Sequence, residues 1–264
     1  MKTVIFTDLD GTFLNHNDYS FDDAKESLKL LKNKKIPIIF TTSKTRMEVE
    51  VLQKKVGITE PFIIENGAAI FFPKNYQNLN LNLLDNFNDY NVYQLGLSYN
   101  KILDFYNKYK KEFGILGFSD MNLDEVIKYT GLDEQSAMLS KKRDFTEPFL
   151  IKNRELVEDL QKLASSYNIK ITKGGRFYHL IGKFQDKGLA VKKAKEIFEQ
   201  LYNEKIDAIG LGDGENDIAM FKNVDKAIII KNHKDKYVDF DSKNVQKSTY
   251  KGSKGWNEMV LKNV

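Results

Sequence analysis

The chain has 264 residues, of which 41% are hydrophobic and 30% are charged, and its formal net charge is +4. This composition is typical of a globular protein and excludes an intrinsically disordered one, while the lack of cysteine excludes disulfides and thiolate metal sites. No stretch approaches the ~18 consecutive apolar residues of a membrane helix. The small basic excess contains no Lys/Arg block with interleaved aromatic residues, so we expect no membrane partner and no nucleic-acid partner.

The N-terminus carries one lysine and a short apolar run over 4–6, and acidic residues follow at once. A secretory signal needs a longer apolar segment. We therefore expect a cytoplasmic protein, either a monomer or a homodimer.

Strands and helices alternate in the first part of the chain. A helix is predicted after the first strand, with Ser20 as its N-cap and apolar residues at 24, 28 and 31. A second helix over 45–56 ends at Gly57, and an Asn66-Gly67 turn predicts a return of the chain over 68–72. The hydrophobic runs that predict the strands cover 3–7, 36–41 and 62–65.

The hydrophobic periodicity weakens over 74–100, and the alternation of strands and helices resumes only after residue 187. Helices are predicted at 101–113, 122–129 and 156–164, and strands at 169–171 and 178–181. The C-terminal part predicts a helix with apolar residues from 190 to 201, a strand at 206–211, a short helix at 220–221 and a strand at 227–230. We interpret 231–254 as a surface loop or a short terminal element.

These elements predict an α/β protein with a Rossmann-like, three-layer core around a parallel sheet. We assign 1–82 and 183–264 to this core, and 83–182 to an inserted α+β domain. Ligands of such sheets bind at the carboxyl ends of the strands. Four features follow predicted strands and should meet there: Asp8, Thr42, the turn at 65–66 and Asp213.

Four aspartates carry the chemistry of this edge. Asp8 and Asp10 can converge on one ion, and Asp217 lies four residues after Asp213, on the same side of a helical turn. Carboxylate oxygens are ligands that Mg²⁺ prefers. A single aspartate after a strand is more often a turn or cap residue, but the recurrence of several favours a magnesium site.

Four motifs resemble the haloacid dehalogenase superfamily of phosphatases. They are Asp8-Leu9-Asp10-Gly11-Thr12, then Thr42, then Lys187 within Asp186-Lys187-Gly188, and finally Gly212-Asp213-Gly214-Glu215-Asn216-Asp217. Their order and spacing resemble the members with a C2-type cap domain inserted between the second and third motifs.

The resemblance implies a role for each motif residue. Asp8 would attack phosphorus and Asp10 would act as general acid and base, while Thr42 and Lys187 would bind the transferring phosphoryl group. The implied Mg²⁺ ligands are Asp8, the main-chain carbonyl of Asp10, Asp213 and Asp217.

Further segments resemble mannosyl-3-phosphoglycerate phosphatases, which release mannosylglycerate, a compatible solute. They are the Ser-Lys-Thr-Arg at 43–46, where most relatives with this cap have Thr-Gly-Arg, and the segments 65–70, 143–148 and 174–179. Arg143 or Arg176 could hold the glycerate carboxylate or the phosphate, and Glu147 could accept hydrogen bonds from sugar hydroxyls. The candidate substrate-binding residues are Ser43, Lys44, Arg143, Glu147, Gly175, Arg176 and Asn216.

Several alternatives stay open at this point. The substrate could be glucosyl-3-phosphoglycerate, sucrose phosphate or another phosphosugar, and a catalytically silent sugar-phosphate sensor would share the fold. Phospho-acceptor receiver domains of signalling proteins are a further alternative, but they are much shorter and lack the last motif. No segment of the cap points to a phosphosugar mutase.

The three histidines show no metal-ligand spacing, and we expect His179 to be packed near a strand.

Overall fold

The computed structural model describes residues 1–78, 84–174 and 176–264. By its contacts the chain forms two compact units. The first unit contains Met1–Thr42, Thr59–Tyr93 and Asp186–Val264, and the second contains Ser43–Ile58 and Gln94–Gln185. The predicted boundary between residues 82 and 83 lies outside the described residues, and the predicted insertion over 83–182 stays a prediction.

The regular elements of the described residues follow in chain order. The strands are β1 (Lys2–Thr7), β2 (Ile38–Thr41), β3 (Phe62–Ile64), β4 (Ala69–Pro73), β5 (Asp85–Phe87), β6 (Tyr90–Gln94), β7 (Ile115–Gly117), β8 (Glu147–Ile151), β9 (Ile169–Gly174), β10 (Phe177–Gly182), β11 (Ile206–Gly212), β12 (Lys226–Lys231) and β13 (Val245–Lys251). The helices are α1 (Lys25–Lys34), α2 (Arg46–Val56), α3 (Tyr99–Tyr109), α4 (Leu123–Thr130), α5 (Glu134–Ser140), α6 (Val157–Ser165), α7 (Lys187–Tyr202), α8 (Ile218–Phe221) and α9 (Gly252–Asn263).

The first unit is built on a nine-stranded sheet with the order β13-β12-β11-β1-β2-β3-β4-β6-β5. The pairs from β13 to β3 are parallel, whereas β4 runs antiparallel to β3 and β5 antiparallel to β6. The central strands are continuous apolar runs because parallel strands are usually covered on both faces. In β1, Val4, Ile5 and Phe6 are all 0% exposed.

The carboxyl ends of β1, β2 and β11 place the sequence motifs at one edge of this sheet. Thr7, the last residue of β1, is in register with Leu211 of β11 and with Phe40 of β2. The residues that follow these strands therefore emerge side by side, as expected of an open α/β sheet.

The C-terminal region is more regular than the sequence indicates. Residues 231–254 contain β13, which pairs with β12, and the start of α9. The strand is hidden in the sequence because it is polar, with Gln246, Lys247 and Thr249 among its residues. Such residues suit a strand at the border of a sheet, where one side meets solvent.

The predicted N-cap of the first helix is wrong. A short 3-10 turn over Asp22–Ala24 precedes α1, and its N-cap position is Phe21. Ser20 donates its backbone N–H and its hydroxyl to Asp18 Oδ1 instead, at 3.0 and 2.8 Å. Ser20 Oγ also accepts from Asn15 Nδ2 at 2.9 Å, so this side chain is engaged in the turn that precedes the helix.

The second unit contains a four-stranded antiparallel sheet with the order β7-β8-β10-β9. Helices α3 and α6 contribute Phe105, Tyr106 and Leu160 to its buried apolar cluster. Strands β7 and β8 are absent from the sequence prediction because they are short and contain Gly117 and Pro148.

These two units confirm the predicted fold class, with a largely parallel α/β sheet in one unit and an α+β arrangement in the other. None of the helices in the described ranges combines the length with the apolar character that crossing a membrane requires.

The packing of the second unit gives a testable prediction. Phe105→Ala should lower the free energy of unfolding by about 3–5 kcal/mol, because the ring is 1% exposed and its removal leaves a cavity. Denaturant unfolding followed by circular dichroism measures the change. Met138→Ala is the matched control, since Met138 is 53% exposed and its loss should cost less than about 0.5 kcal/mol. Equal losses in the two variants would contradict the assigned core.

Candidate active site

A tight turn after β1 positions Asp8. Its backbone N–H donates to Leu211 O at 2.9 Å, which continues the pairing with β11. The chain then turns back, with Leu14 N donating to Leu9 O at 2.8 Å. Gly11 has a φ of +82°, and a Cβ there would lie 2.6 Å from Asp213 Oδ2. Glycine thus allows this turn to pack directly against the carboxylate of Asp213.

The loop after β11 is organised by Asp217. This residue is 0% exposed, and its Oδ2 accepts hydrogen bonds from the backbone N–H groups of Asp213 and Gly214 at 3.1 and 3.0 Å. Thr12 Oγ1 donates to Asp213 Oδ1 at 3.3 Å. Asp217 therefore holds the loop that presents Asp213, as the four-residue spacing predicts.

Lys187 is a buried cation between two carboxylates. Its Nζ lies 2.5 Å from Asp8 Oδ1 and 2.7 Å from Asp217 Oδ1, and its side chain is 1% exposed. Burial alone would lower the pKa of Lys187, but Asp217 and Asp8 raise that pKa above its usual value. The ammonium group is therefore charged throughout the physiological pH range. Asp186 caps α7 by accepting from Leu189 N at 2.7 Å, which fixes the helix end that carries Lys187.

Asp8, Asp213 and Asp217 form an acidic group with ligand atoms within 4.8 Å of one another. Burial, more than the neighbouring charges, raises the pKa of Asp8 to about 7 and that of Asp213 to about 8. Three carboxylates face a single lysine, so the site has more negative charge than its own residues neutralise. Oxygen donors that are buried at Asp8 and Asp217 and half-buried at Asp213, with excess negative charge, fit a hard divalent cation such as Mg²⁺.

Thr42 and the turn after β3 border the same edge. Thr42 N donates to Ile63 O at 3.0 Å, and Thr42 O accepts from Asn66 N at 2.8 Å. Glu65 and Asn66 have φ values of 47° and 59°, so this turn adopts left-handed conformations at two residues other than glycine. Any Cβ at Gly67 would collide with the main chain of Asp186, so the turn packs against the segment that leads to Lys187.

Asp10 and Asn216 complete the predicted residues of the first unit. Asp10 is half-buried, and its charge adds to the rise in the pKa of Asp8. The predicted metal ligand of Asp10 is its main-chain carbonyl, and this role stays a prediction. Asn216 is exposed, with its Nδ2 3.5 Å from Asn66 Oδ1.

In the second unit, Arg143 holds the segment that follows Thr42. Its Nη1 donates to Ser43 O and its Nε donates to Ser140 O, both at 2.9 Å. Nearby, Thr45 Oγ1 lies 3.1 Å from Leu139 O. Lys44 Nζ lies 3.6 Å from Glu48 Oε1. The Ser-Lys-Thr-Arg segment is thus tied to the residues that precede β8.

Glu147 is a buried carboxylate with partners on both oxygens. Its Oε1 accepts from Ser119 N at 2.8 Å and from Ser119 Oγ at 2.6 Å, and its Oε2 accepts from Tyr99 Oη at 2.6 Å. The side chain is 0% exposed, and burial raises its pKa. A sugar hydroxyl would have to compete with these donors, so the contacts give Glu147 a role in fixing Tyr99 and Ser119. Its predicted sugar contact stays a prediction.

The remaining candidates lie around β10. Arg176 is exposed and donates from Nη1 to the main-chain oxygen of Tyr129, and Gly175 lies outside the described residues. His179 is half-buried in β10, as predicted. In the described part of the chain its Nδ1 is shielded from solvent without a hydrogen-bond partner.

Several residues that bond to the candidate residues within each unit are missing from the sequence prediction. Thr12, Tyr99 and Ser119 bond directly to predicted residues, but their partners are 201, 48 and 28 positions away in sequence. Of these three residues, only Thr12 could have been found from the sequence, because it belongs to the first motif.

The half-buried His179 predicts a pH dependence of stability. Burial, followed by the charge of Arg143, lowers the pKa of His179 from 6.5 to about 3. The unfolded chain then binds more protons between these values, so His179 lowers stability as the pH falls below 6.5. If the pKa of His179 shifts fully, the free energy of unfolding at pH 5 is lower by about 2 kcal/mol. Because the ring is partly exposed, we expect a loss of about 1 kcal/mol.

His179→Phe keeps a planar ring and removes the titration. Between pH 7.5 and pH 5 we expect this variant to lose less stability than the wild type, as measured by denaturant unfolding at both pH values. Parallel losses in the two proteins would show that the histidine does not carry this pH dependence.

Comparisons with known proteins give the family. The model of the haloacid dehalogenase-like hydrolases matches residues 5–252. A protein of Persephonella marina named glucosyl-3-phosphoglycerate/mannosyl-3-phosphoglycerate phosphatase is 51% identical, over 97% of this chain and 95% of its own length. A Methanococcoides burtonii protein of the same name is 39% identical, over 99% of this chain and 97% of its own length.

Among solved structures, a protein from Thermoplasma acidophilum has a TM-score of 0.69 at 19% identity, with 99% of this chain and 98% of that chain covered. This likeness shows a shared fold. Together with the matched family model and the sequence relatives, it confirms the predicted superfamily. The chain belongs to the haloacid dehalogenase-like hydrolases.

Proposed function

We propose that this protein is a Mg²⁺-dependent phosphatase that hydrolyses glucosyl-3-phosphoglycerate and mannosyl-3-phosphoglycerate through an aspartyl-phosphate on Asp8. The observation that carries the proposal is the buried contact of Lys187 with Asp8 and Asp217, beside Asp213. A carboxylate at the end of a strand, held by an ammonium group, is a suitable nucleophile for phosphorus.

In the first half of the reaction, a carboxylate oxygen of Asp8 forms a bond to phosphorus while the ester P–O bond breaks. The leaving alkoxide of the glycerate takes its proton from Asp10. Lys187 neutralises charge on the phosphoryl oxygens, and Thr42 orients them. Phosphoryl transfer gains most from such positioning and charge neutralisation.

In the second half, Asp10 removes a proton from water, and the hydroxyl oxygen attacks the phosphorus of the aspartyl-phosphate. The P–O bond to Asp8 breaks, phosphate leaves and the carboxylate of Asp8 is restored. Asp10 ends the cycle protonated, ready for the next leaving group. One residue thus acts first as acid and then as base.

Mg²⁺ would be held by Asp8, the carbonyl of Asp10, Asp213 and Asp217. When bound, it would supply positive charge to the phosphoryl oxygens. The excess carboxylate charge of the site supports this assignment, as do the raised pKa values of Asp8 and Asp213.

The names of the relatives support both glycosyl phosphoglycerates as substrates. We propose that the second unit selects the substrate through Ser43, Lys44, Arg143, Glu147, Gly175 and Arg176, with Asn216 contributing from the first unit. A substrate with a carboxylate and a phosphate suits arginine, because its planar group binds either one in a bidentate manner. We further propose a cytoplasmic enzyme that is a monomer or a homodimer and binds a phosphorylated sugar–glycerate as its small-molecule partner.

The nucleophile assignment is tested with Asp8→Asn. This variant should release phosphate from either glycosyl phosphoglycerate at least ~10³-fold more slowly, because the amide cannot form the aspartyl-phosphate. Asp124→Asn is the control, since Asp124 is exposed in α4, and it should keep wild-type turnover. Circular dichroism checks that both variants fold. Wild-type turnover by Asp8→Asn would contradict the nucleophile.

Metal binding is tested by stability in the absence of substrate. MgCl₂ should raise the melting temperature of the chelator-treated protein, since a ligand at ~100 times its Kd stabilises by about 2.7 kcal/mol. Asp213→Asn should lose most of this increase, whereas Asp124→Asn should keep it. NaCl at equal ionic strength controls for screening. The same increase in wild type and Asp213→Asn would place the ion elsewhere.

Substrate selection is tested with Arg143→Lys and Arg176→Lys. Each should lower kcat/KM for the glycosyl phosphoglycerates at least ~10-fold, because lysine cannot replace a bidentate contact. p-Nitrophenyl phosphate should be affected less. Arg154→Lys is the matched control, as Arg154 is exposed. Equal losses on both substrates would count against a contact with the glycerate part, and a preference for simple hexose phosphates would exclude the proposed substrates.

A further inference from the structure

The C-terminal helix α9 makes a buried contact with the strand that carries Asp8. Trp256 is 0% exposed, and its indole Nε1 donates to Thr7 Oγ1 at 3.0 Å. Thr7 is also 0% exposed, and its Oγ1 donates in turn to the main-chain oxygen of Asp8 at 2.8 Å. The two hydrogen bonds form a chain from Trp256 through Thr7 to Asp8.

The chemistry of the groups fixes the direction of this chain. An indole N–H can only donate, so Thr7 Oγ1 must accept from it, and the single hydroxyl proton of Thr7 is directed to Asp8 O. A hydroxyl that accepts one hydrogen bond also donates more strongly, because such chains polarise each other. The backbone of Asp8 is then held on both sides of its Cα, since its N–H donates to Leu211 O at 2.9 Å.

The start of α9 is built to approach this loop closely. Gly252 has a φ of +51°, and a Cβ there would lie 2.6 Å from Asn15 Oδ1. Asn15 Oδ1 accepts from Ser253 N at 3.1 Å. The indole of Trp256 also packs edge-on against Phe13, with ring centroids 5.0 Å apart. Three contacts thus connect α9 with residues 7–15, the segment that contains the proposed nucleophile.

We propose that Trp256 and Thr7 are positioning residues that set the orientation of Asp8 for attack. This inference rests on the proposed role of Asp8 as nucleophile. Fixing the Asp8 carbonyl fixes the backbone from which its carboxylate extends, and a displacement of ~1 Å at a reacting group can cost ~100-fold in rate. The chain of hydrogen bonds therefore contributes to kcat rather than to substrate binding.

Thr7→Val tests the proposal, because valine keeps the shape of threonine and removes the hydroxyl. We expect kcat to fall about 10-fold with KM unchanged within about twofold. Thr7→Ser restores the hydroxyl and should keep kcat within about threefold of the wild type. Trp256→Phe keeps an aromatic ring without the N–H donor and should lower kcat about 3- to 10-fold. Kinetics are measured well below each melting temperature, so that all molecules are folded.

Coupling between the two residues separates positioning from general destabilisation. Because Trp256 acts through Thr7, the double variant should be no slower than Thr7→Val alone. Asn257→Ala is the matched control in the same helix. Asn257 Oδ1 accepts from Ser27 N at 3.0 Å and from Ser27 Oγ at 2.6 Å, away from Asp8. This control should lower the melting temperature and keep wild-type kcat.

The outcomes distinguish this inference from the proposed function. Wild-type kcat in Thr7→Val, or a double variant whose loss is the product of the single losses, overturns the inference. If Asp8→Asn is inactive in the same assays, the nucleophile stands and only the positioning role fails. If Asp8→Asn is active, the nucleophile assignment itself fails. If Trp256→Phe does not fold, the comparison of kcat in Thr7→Val with kcat in Thr7→Ser and Asn257→Ala still decides whether the Thr7 hydroxyl positions Asp8.

Discussion

The site depends on the burial of one ammonium group among carboxylates. Lys187 is 1% exposed and contacts both Asp8 and Asp217. Removing one partner from such a pair leaves an uncompensated buried charge, which is strongly unfavourable. Asp8 and Asp217 are buried and Asp213 is half-buried, and the three aspartates can stay together because Lys187, and by our proposal a divalent cation, offsets their charge. This balance of charge requires α7 to begin at its observed position and the loop after β11 to turn back on itself.

Within each unit, side chains among the candidate residues hold main-chain groups in place. Asp217 accepts from two consecutive N–H groups of its loop, and Thr42 is held between Ile63 and Asn66 through its main chain. In the second unit, Arg143 and Glu147 likewise bond to main-chain groups at Ser43 and Ser119. Arginine and glutamate residues singled out as substrate contacts therefore already have structural partners. Active sites that need accurate geometry commonly rest on supporting contacts of this kind.

The sequence was informative where function depends on local motifs. The common location of Asp8 and Asp213 could be predicted because each follows a strand and parallel topology brings these ends together, whereas Lys187 was indicated only by the family resemblance. The contact of Trp256 with Thr7 could not be predicted, because 249 residues separate them. Polar edge strands such as β13 and short strands such as β7 were missed because their stability comes from pairing with neighbours and not from their own composition.

The membership of residues 43–58 in the second unit has a consequence for protein engineering. These residues include the Ser-Lys-Thr-Arg segment and α2, and they form one compact unit with Gln94–Gln185. By our proposal this unit selects the substrate, and because it consists of two separate chain segments it cannot be exchanged as a single insert. A chimaera with a related phosphatase would need both segments from the same parent, so that Arg143 meets the Ser43 carbonyl with which it pairs. Recombination within this family would thus be constrained to crossovers that keep the two segments together.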